Sequence, residues 1–210
     1  MLRYIYACDL PLEPLLQDTM FRDRAYQFKE RLGWAVNVDE NGWESDEYDA
    51  LNPLYVIWVN PDGTHGGSMR FLPADGPTMV ADHFSGLMKD APISSPHIWE
   101  CTRFCVGRNS GPRTAPALML AGGEVMRAFA LTDLLGIFDR RMIRIYKSIG
   151  ASPYVLGQSG EGRDEIKLGL WRFQAKDRTT VLRRAGLSSD ISEHWFLRSF
   201  GAPIHSRLAA

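Results

Sequence analysis

Three groups of residues have the types and spacing to do chemistry. The first is an arginine among aromatics: Arg24 lies four positions before Phe28, with Trp34 across the following turn. A guanidinium takes a carboxylate bidentately, and aromatic faces attract a cation. Such a set would seat a ligand that carries both charges, although it also fits a snorkelling surface arginine beside core aromatics. The second group is "ESDEYD" (44–49), which crowds Glu44, Asp46, Glu47 and Asp49 into one turn before a strand. It fits a solvated turn. It also fits Asp46 and Asp49 holding Arg70 and Arg103 from neighbouring strands, with a net stability that burial erodes. The third is "WECTRFCV" (99–106), a strand by composition that keeps Glu100 and Arg103. In a flat strand Glu100, Thr102 and Phe104 share one face, and Cys101, Arg103 and Cys105 share the other. Both charges reach one cleft only if a bulge or splay intervenes. A buried Glu100 without a basic partner has a raised pKa and suits a general base. A carboxylate hydrogen-bonded to structural backbone fits the position equally.

Positioning these groups requires a scaffold, and hydrophobic periodicity supplies one. A strand over 3–10 precedes a helical stripe of Leu12, Leu15, Leu16, Met20, Phe21, Ala25, Phe28 and Leu32, closed by Gly33. "LYVIWVN" (54–60) and "SMRFLP" (68–73) flank a turn and read as a hairpin. A short helical piece near 83–88 precedes the 99–106 strand. A helix over 114–130 comes next, weakened by Gly122 and Gly123. Strands at 134–139 and 165–173 and helices at 140–150, 177–186 and 189–200 complete the chain, and "GQSGEG" (157–162) reads as a loop. The order predicts one mixed sheet with helices on its faces.

At 210 residues the chain is expected to form a single domain with an adequate core. A net charge of -1 makes nucleic acid a poor partner. Cys8, Cys101 and Cys105 have no disulfide or zinc spacing, which fits small packing residues in a reducing cytoplasm. The N-terminus lacks a basic region followed by an apolar run, and no stretch approaches a membrane span. The scattered histidines (65, 83, 97, 194, 205) and the missing nucleophile elbow give no support to metal or serine-triad chemistry.

Taken in order, "FRDRAYQFKERLGW" (21–34), "ESDEYD" (44–49), "GGSMRFLP" (66–73) and "WECTRFCV" (99–106) resemble the acyl-homoserine-lactone synthases, the LuxI-type autoinducer synthases of bacterial quorum sensing. The resemblance spans nearly the whole chain. It implies an α/β fold, a three-layer α/β/α sandwich with a mixed, splayed sheet similar to Gcn5-type N-acetyltransferases. It implies two substrates, S-adenosylmethionine and an acyl thioester on acyl carrier protein or CoA, with no cofactor and no metal. It places the S-adenosylmethionine side on Arg24, Phe28, Trp34, Asp46, Asp49, Arg70, Phe84 and Arg103, with Glu100, Arg103 and Arg24 catalytic. An acyl pocket beyond the splay would draw on Phe104, Leu118, Met119, Val125, Met126, Leu135 and Ile137, although helix-core packing explains the same residues. Family members that favour 3-oxo chains often carry Ser or Thr after the strand at 134–139. "GIFDRR" there implies an unsubstituted or 3-hydroxy chain. Arg140, Arg144 and Lys147 form a basic stripe opposite Met142, Ile145 and Ile149, where an acidic carrier could dock. Two other readings fit the residues: an acyl-CoA-dependent N-acyltransferase acting on another amine, and a non-catalytic binding relative.

Overall fold

Strand Leu54–Val59 is apolar on both faces, so both faces of its sheet must be covered. Leu54 and Val56 pack with Leu118, Ala121 and Val125, while Tyr55 and Ile57 pack with Leu16, Met20 and Phe21. A computed structural model shows how the chain does this; it describes residues 1–88, 93–162, 164–172 and 174–200. Its strands are β1 (Leu2–Tyr6), β2 (Leu54–Val59), β3 (His65–Pro73), β4 (Ile98–Val106), β5 (Asp133–Asp139), β6 (Tyr154–Ser159) and β7 (Ile166–Trp171). They form one sheet in the order β1-β2-β3-β4-β5-β7-β6. The helices are α1 (Pro14–Ala25), α2 (Met79–His83), α3 (Thr114–Ala128), α4 (Met142–Ile149), α5 (Ala175–Ala185) and α6 (Ser189–Phe200). α1 and α2 cover one face, while α3, α4 and α6 cover the other, with α5 packed on α3. This is the expected three-layer α/β/α sandwich.

Two irregularities matter for function. Only β4 and β5 pair in parallel, and they do so over just Ile98–Asp133, Trp99–Leu134 and Glu100–Leu135. Beyond those pairs the strands part, which opens the sheet at its centre. The second irregularity lies on β4 itself. Ser68 faces Cys105 and Arg70 faces Thr102, so Met69 alone opposes both Arg103 and Phe104. That is a β-bulge, and Arg103 sits at φ 52°, in the left-handed region. The flat-strand expectation therefore holds only as far as Thr102. Thr102 and Arg103 both point to the α1 face, where Arg70 and Glu44 meet them. Phe104 turns to the α3 face and packs edge-on against Tyr146.

Other expectations shift in detail. The first helix begins at Pro14, leaving Leu12 and Leu15 exposed. It continues as a π-helical turn over Tyr26–Arg31, an arrangement often found at functional sites. The glycine-rich stretch read as a loop instead completes β6 through Ser159. Ile145, expected on the buried face of α4, is 40% exposed, and Tyr146 takes its place in the core. Phe173, the last residue of the strand expected over 165–173, lies outside the described residues. Among the described residues no helix is long and apolar enough to cross a membrane.

Gly136 on β5 marks the seam where the sheet opens. A Cβ there would stand 2.8 Å from the Cys101 carbonyl oxygen, a backbone atom that cannot swing aside. Gly136→Ala is expected to destabilise the fold by about 1–3 kcal/mol, read as a lowered urea midpoint with an unchanged slope.

Candidate active site

Arg24 on α1, Arg70 on β3 and Arg103 at the bulge converge with their guanidinium groups buried or nearly so. Burial on that scale demands matching anions. The 44–49 turn brings them. Asp46 caps the short helix Glu47–Leu51 by accepting from the Tyr48 N–H at 3.0 Å, while Asp49 accepts from the Asp46 N–H at 2.9 Å. This capping box aims both carboxylates inward.

Arg24 donates from Nε to Glu44 at 2.7 Å and from both Nη atoms to Asp49 at 3.0 and 2.8 Å. Arg70 donates to Thr102 at 3.0 Å and to both oxygens of Asp46, and pairs with Asp49 at 2.8 Å. Arg103 reaches Glu44 at 2.8 Å and Asp46 at 2.7 Å. Three cations thus meet three anions with no net charge. Burial alone would raise the Asp49 carboxyl. The Arg24 charge beside it, with Arg70 and a hydrogen bond from Tyr55, outweighs burial and holds it well below the usual carboxylate range.

In front of this network lies a cleft of about 2080 Å³, its open mouth included. Phe28 and Trp34 stack face to face on one wall, 5.2 Å between centroids and 7° from parallel. Phe84, Asp46, Glu100, Thr102 and Arg103 also line it. A second, smaller cavity of about 580 Å³, mouth included, occupies the gap between β4 and β5. Its lining is mostly apolar: Met69, Phe71, Met119, Met126, Leu134 and Trp171 among others. The two spaces share Thr102, Arg103, Phe104, Ile137 and Tyr146, so they meet where the sheet opens.

Glu100 stands at that junction, almost fully buried. Its oxygens accept from the Met79 N–H at 3.0 Å and the Val80 N–H at 2.7 Å. It therefore anchors the start of α2, as the structural reading expects, and it also lines the cleft. Burial raises its pKa, and the two backbone donors offset part of that rise. Each oxygen keeps a further lone pair.

The structure divides the expected site residues. Phe28, Trp34, Asp46, Phe84, Glu100 and Arg103 line the cleft. Arg24, Asp49 and Arg70 do not. They form the layer behind it, and Arg24, 1% exposed, is bonded through Nε to Glu44 and through both Nη atoms to Asp49. Arg24 is expected to touch the ligand, and the structure places it behind the cleft wall instead. On the acyl side Phe104, Met119, Met126 and Ile137 line the smaller cavity. Leu118 and Val125 are corrected to core residues under the sheet, and Leu135 packs on the opposite face with Val80 and Leu168. Arg144 and Lys147 are exposed on α4, and Arg140 is exposed just before it, 3.7 Å from Glu165.

Two residues escaped the sequence reading. Glu44 is fully buried between Arg24 and Arg103, and the crowding of acids in its turn was its only signal. Arg31 lines the cleft, is exposed, and among the described residues has no ion-pair partner. Its spacing of three from both Phe28 and Trp34 could have flagged it. A buried chain also joins Asp23, His65 and Ser68, with 2.9 and 3.0 Å between neighbours. Ser68 lines neither cavity and is 2% exposed, so this set ties α1 to β3 and offers no nucleophile. Burial pushes the Cys101 thiol up to about 12, which leaves it an unreactive packing group.

A splayed mixed sheet between helical layers, with a polar cleft meeting an apolar slot, is the N-acetyltransferase architecture. An N-acetyltransferase structure from Lactobacillus plantarum superposes with a TM-score of 0.53 at 15% identity, covering 82% of this chain and 99% of its own. The autoinducer synthase family model matches residues 12–182. An acyl-homoserine-lactone synthase from Rhizobium etli is 37% identical over 179 residues, 81% of this chain and 82% of that protein. The structure of BjaI, described as a CoA-dependent acyl-homoserine lactone synthase with SAM and isopentyl-CoA, has a TM-score of 0.76 at 21% identity, covering 94% and 99%. The chain belongs to the autoinducer synthase family, and its activity is that of an acyl-homoserine-lactone synthase.

Asp49 gives the network a test with a defined sign. Its folded pKa lies below its unfolded value of about 4, so its contribution is complete above that pH and is lost as pH falls toward the folded value. Asp49→Asn leaves Arg24 short of its bidentate partner and is expected to cost about 3–5 kcal/mol near neutral pH. Denaturation across a pH series should show the gap to the parent protein constant above about pH 5 and narrowing in acid.

Proposed function

We propose that the cleft holds S-adenosylmethionine and that the smaller cavity takes the acyl chain of a thioester. The observation that carries this reading is the junction at Thr102, Arg103, Phe104, Ile137 and Tyr146, where a charged space opens into an apolar one. The stacked Phe28 and Trp34 suit the sulfonium and its aromatic base. Arg103 spends Nε and Nη2 on Glu44 and Asp46, while Nη1 has only the Met79 sulfur at 3.9 Å. That free edge, together with Arg31, would take the substrate carboxylate.

Glu100 accepts a proton from the substrate ammonium, directly or through a water. The amine attacks the thioester carbonyl, the new N–C bond forms, and the C–S bond breaks to release the thiol. Backbone groups of β4 beyond Glu100 have left the β5 ladder and can face the oxyanion. The carboxylate then attacks the carbon next to the sulfonium. The lactone closes, and the C–S bond breaks to release methylthioadenosine. Positioning is the main demand of that step. After β5 come Arg140, Arg141 and Met142 with no Ser or Thr to recognise a 3-oxo group, which supports an unsubstituted or 3-hydroxy chain.

The donor is acyl carrier protein in this reading, steered by the exposed Arg140, Arg144 and Lys147. Mass spectrometry of products from purified protein, S-adenosylmethionine and either donor tests the scheme. Acyl-homoserine lactone from the carrier-protein thioester is expected. Product from acyl-CoA alone would overturn the donor, and product from neither would overturn the scheme. Reversing Arg140 and Arg144 to Glu should raise the apparent KM for the carrier at low salt with little change in kcat.

Two substitutions probe the chemistry. Glu100→Gln should lower kcat about 10²–10⁴-fold, and the parent's acid limb in kcat/KM should lie above the ordinary carboxylate value. Near-normal turnover with an unchanged pH profile would remove Glu100 as the base. Arg31→Gln should raise KM for S-adenosylmethionine about 10-fold or more with a smaller effect on kcat. An unchanged KM would reassign the carboxylate to Arg103 alone.

A further inference from the structure

Gly122 lies in the middle of α3, a buried 15-residue helix, where glycine is the poorest choice after proline. Several other glycines within the sheet and at helix ends have a visible reason. A Cβ on Gly67 would stand 2.7 Å from the Thr114 methyl and 3.0 Å from the Cys105 carbonyl oxygen. One on Gly136 would stand 2.8 Å from the Cys101 carbonyl oxygen. Gly33, Gly150 and Gly186 have positive φ. Gly122 has none of these constraints. Its φ is not in the left-handed region, and a Cβ would meet Leu134 and Met69 at 3.6 Å and Phe71 at 3.8 Å, ordinary van der Waals contacts. Neither backbone conformation nor close packing requires glycine there.

What the missing side chain preserves is space. Gly122 lines the cavity between β4 and β5, on the α3 wall, beside Met119, Gly123 and Met126, and a Cβ on it would face Met69 and Leu134. Methionines can fold aside for a guest because their chains are unbranched and flexible. A helix backbone cannot, so the position nearest the helix axis sets how deep a chain can run. We propose that Gly122 determines acyl-chain length: its bare Cα leaves the α3 wall of the acyl site open to the distal methylenes of a longer chain. The proposal rests on the reading of this cavity as the acyl site.

The test is a competition among acyl thioesters of graded chain length, with S-adenosylmethionine, for the parent protein, Gly122→Ala and Gly122→Leu. The readout is the ratio of kcat/KM for the longest accepted chain to that for the shortest. Each methylene denied its place in an apolar pocket is worth about 10-fold or more. The ratio should therefore fall by about 10-fold in Gly122→Leu and by less in Gly122→Ala, with product profiles moving to shorter chains. Gly122→Ala should also raise Tm by about 2 °C, because it improves the helix without a clash. A fall in chain-length ratio in a more stable protein separates loss of space from loss of fold. An unchanged ratio in folded Gly122→Leu overturns the proposal; if that variant does not fold, an unchanged ratio in Gly122→Ala does so. A parent protein inactive on every thioester overturns the acyl-site reading and the proposal with it.

Discussion

Charge neutrality in the buried half of the site is the constraint on which the rest depends. A guanidinium left there without an anion costs several kcal/mol, so Arg24, Arg70 and Arg103 can exist only as a set with Glu44, Asp46 and Asp49. The six residues come from α1, the 44–49 turn, β3 and β4, and each ion pair therefore fixes one segment against another. Well-packed apolar residues could hold those segments as firmly. They could not leave a guanidinium edge and a carboxylate facing a cleft in one orientation. Arg103 and Asp46 are the members of the set that reach the cleft, and the other four hold them still.

The network can form only because β4 breaks its own regularity. Thr102 is needed on the α1 face to receive Arg70, and Arg103 is needed on that face to reach Glu44 and Asp46. Adjacent residues of a regular strand cannot share a face. The bulge opposite Met69 permits it, and it also reverses the parity of the next residues, sending Phe104 toward Tyr146 in the apolar layer. One inserted residue thus supplies the polar wall of the cleft and part of the apolar wall of the slot. The early end of the β4–β5 ladder connects the two spaces. The left-handed strain at Arg103 falls on a side chain held by two carboxylates, which can carry it.

Sequence periodicity revealed the elements whose burial is one-sided or continuous: the hairpin of β2 and β3, the long helix α3, and strand β5. It missed β6, a short strand with exposed Tyr154 and Val155 and a glycine pressed against the Leu87 backbone. The acid–arginine pairing was legible because buried arginines need anions and the only dense acidic turn lay nearby. The role of Arg24 was not, because its Glu44 partner is 20 positions away and local spacing shows only the neighbouring aromatics. The faces of β4 were not legible either, since a bulge built on arginine lacks the glycine that usually announces one. On α3, Met119 and Met126 line the slot, and Leu118 and Val125, expected beside them, do not. The helix is apolar around most of its circumference, so its pattern cannot say which side meets the slot.

The arginines show why residue type alone underdetermines a role. Arg24 is buried behind the cleft wall and holds Glu44 and Asp49, so a substrate carboxylate could take their place only by leaving a displaced anion buried. The exchange replaces one ion pair with another and strands a buried anion, which is costly. Arg31, further along the same helical segment, has no ion pair among the described residues to surrender. Its binding loses only side-chain freedom and some hydration, and those losses are smaller than stranding a buried anion. In the proposed reading, a locked guanidinium builds the site and a free one meets the ligand.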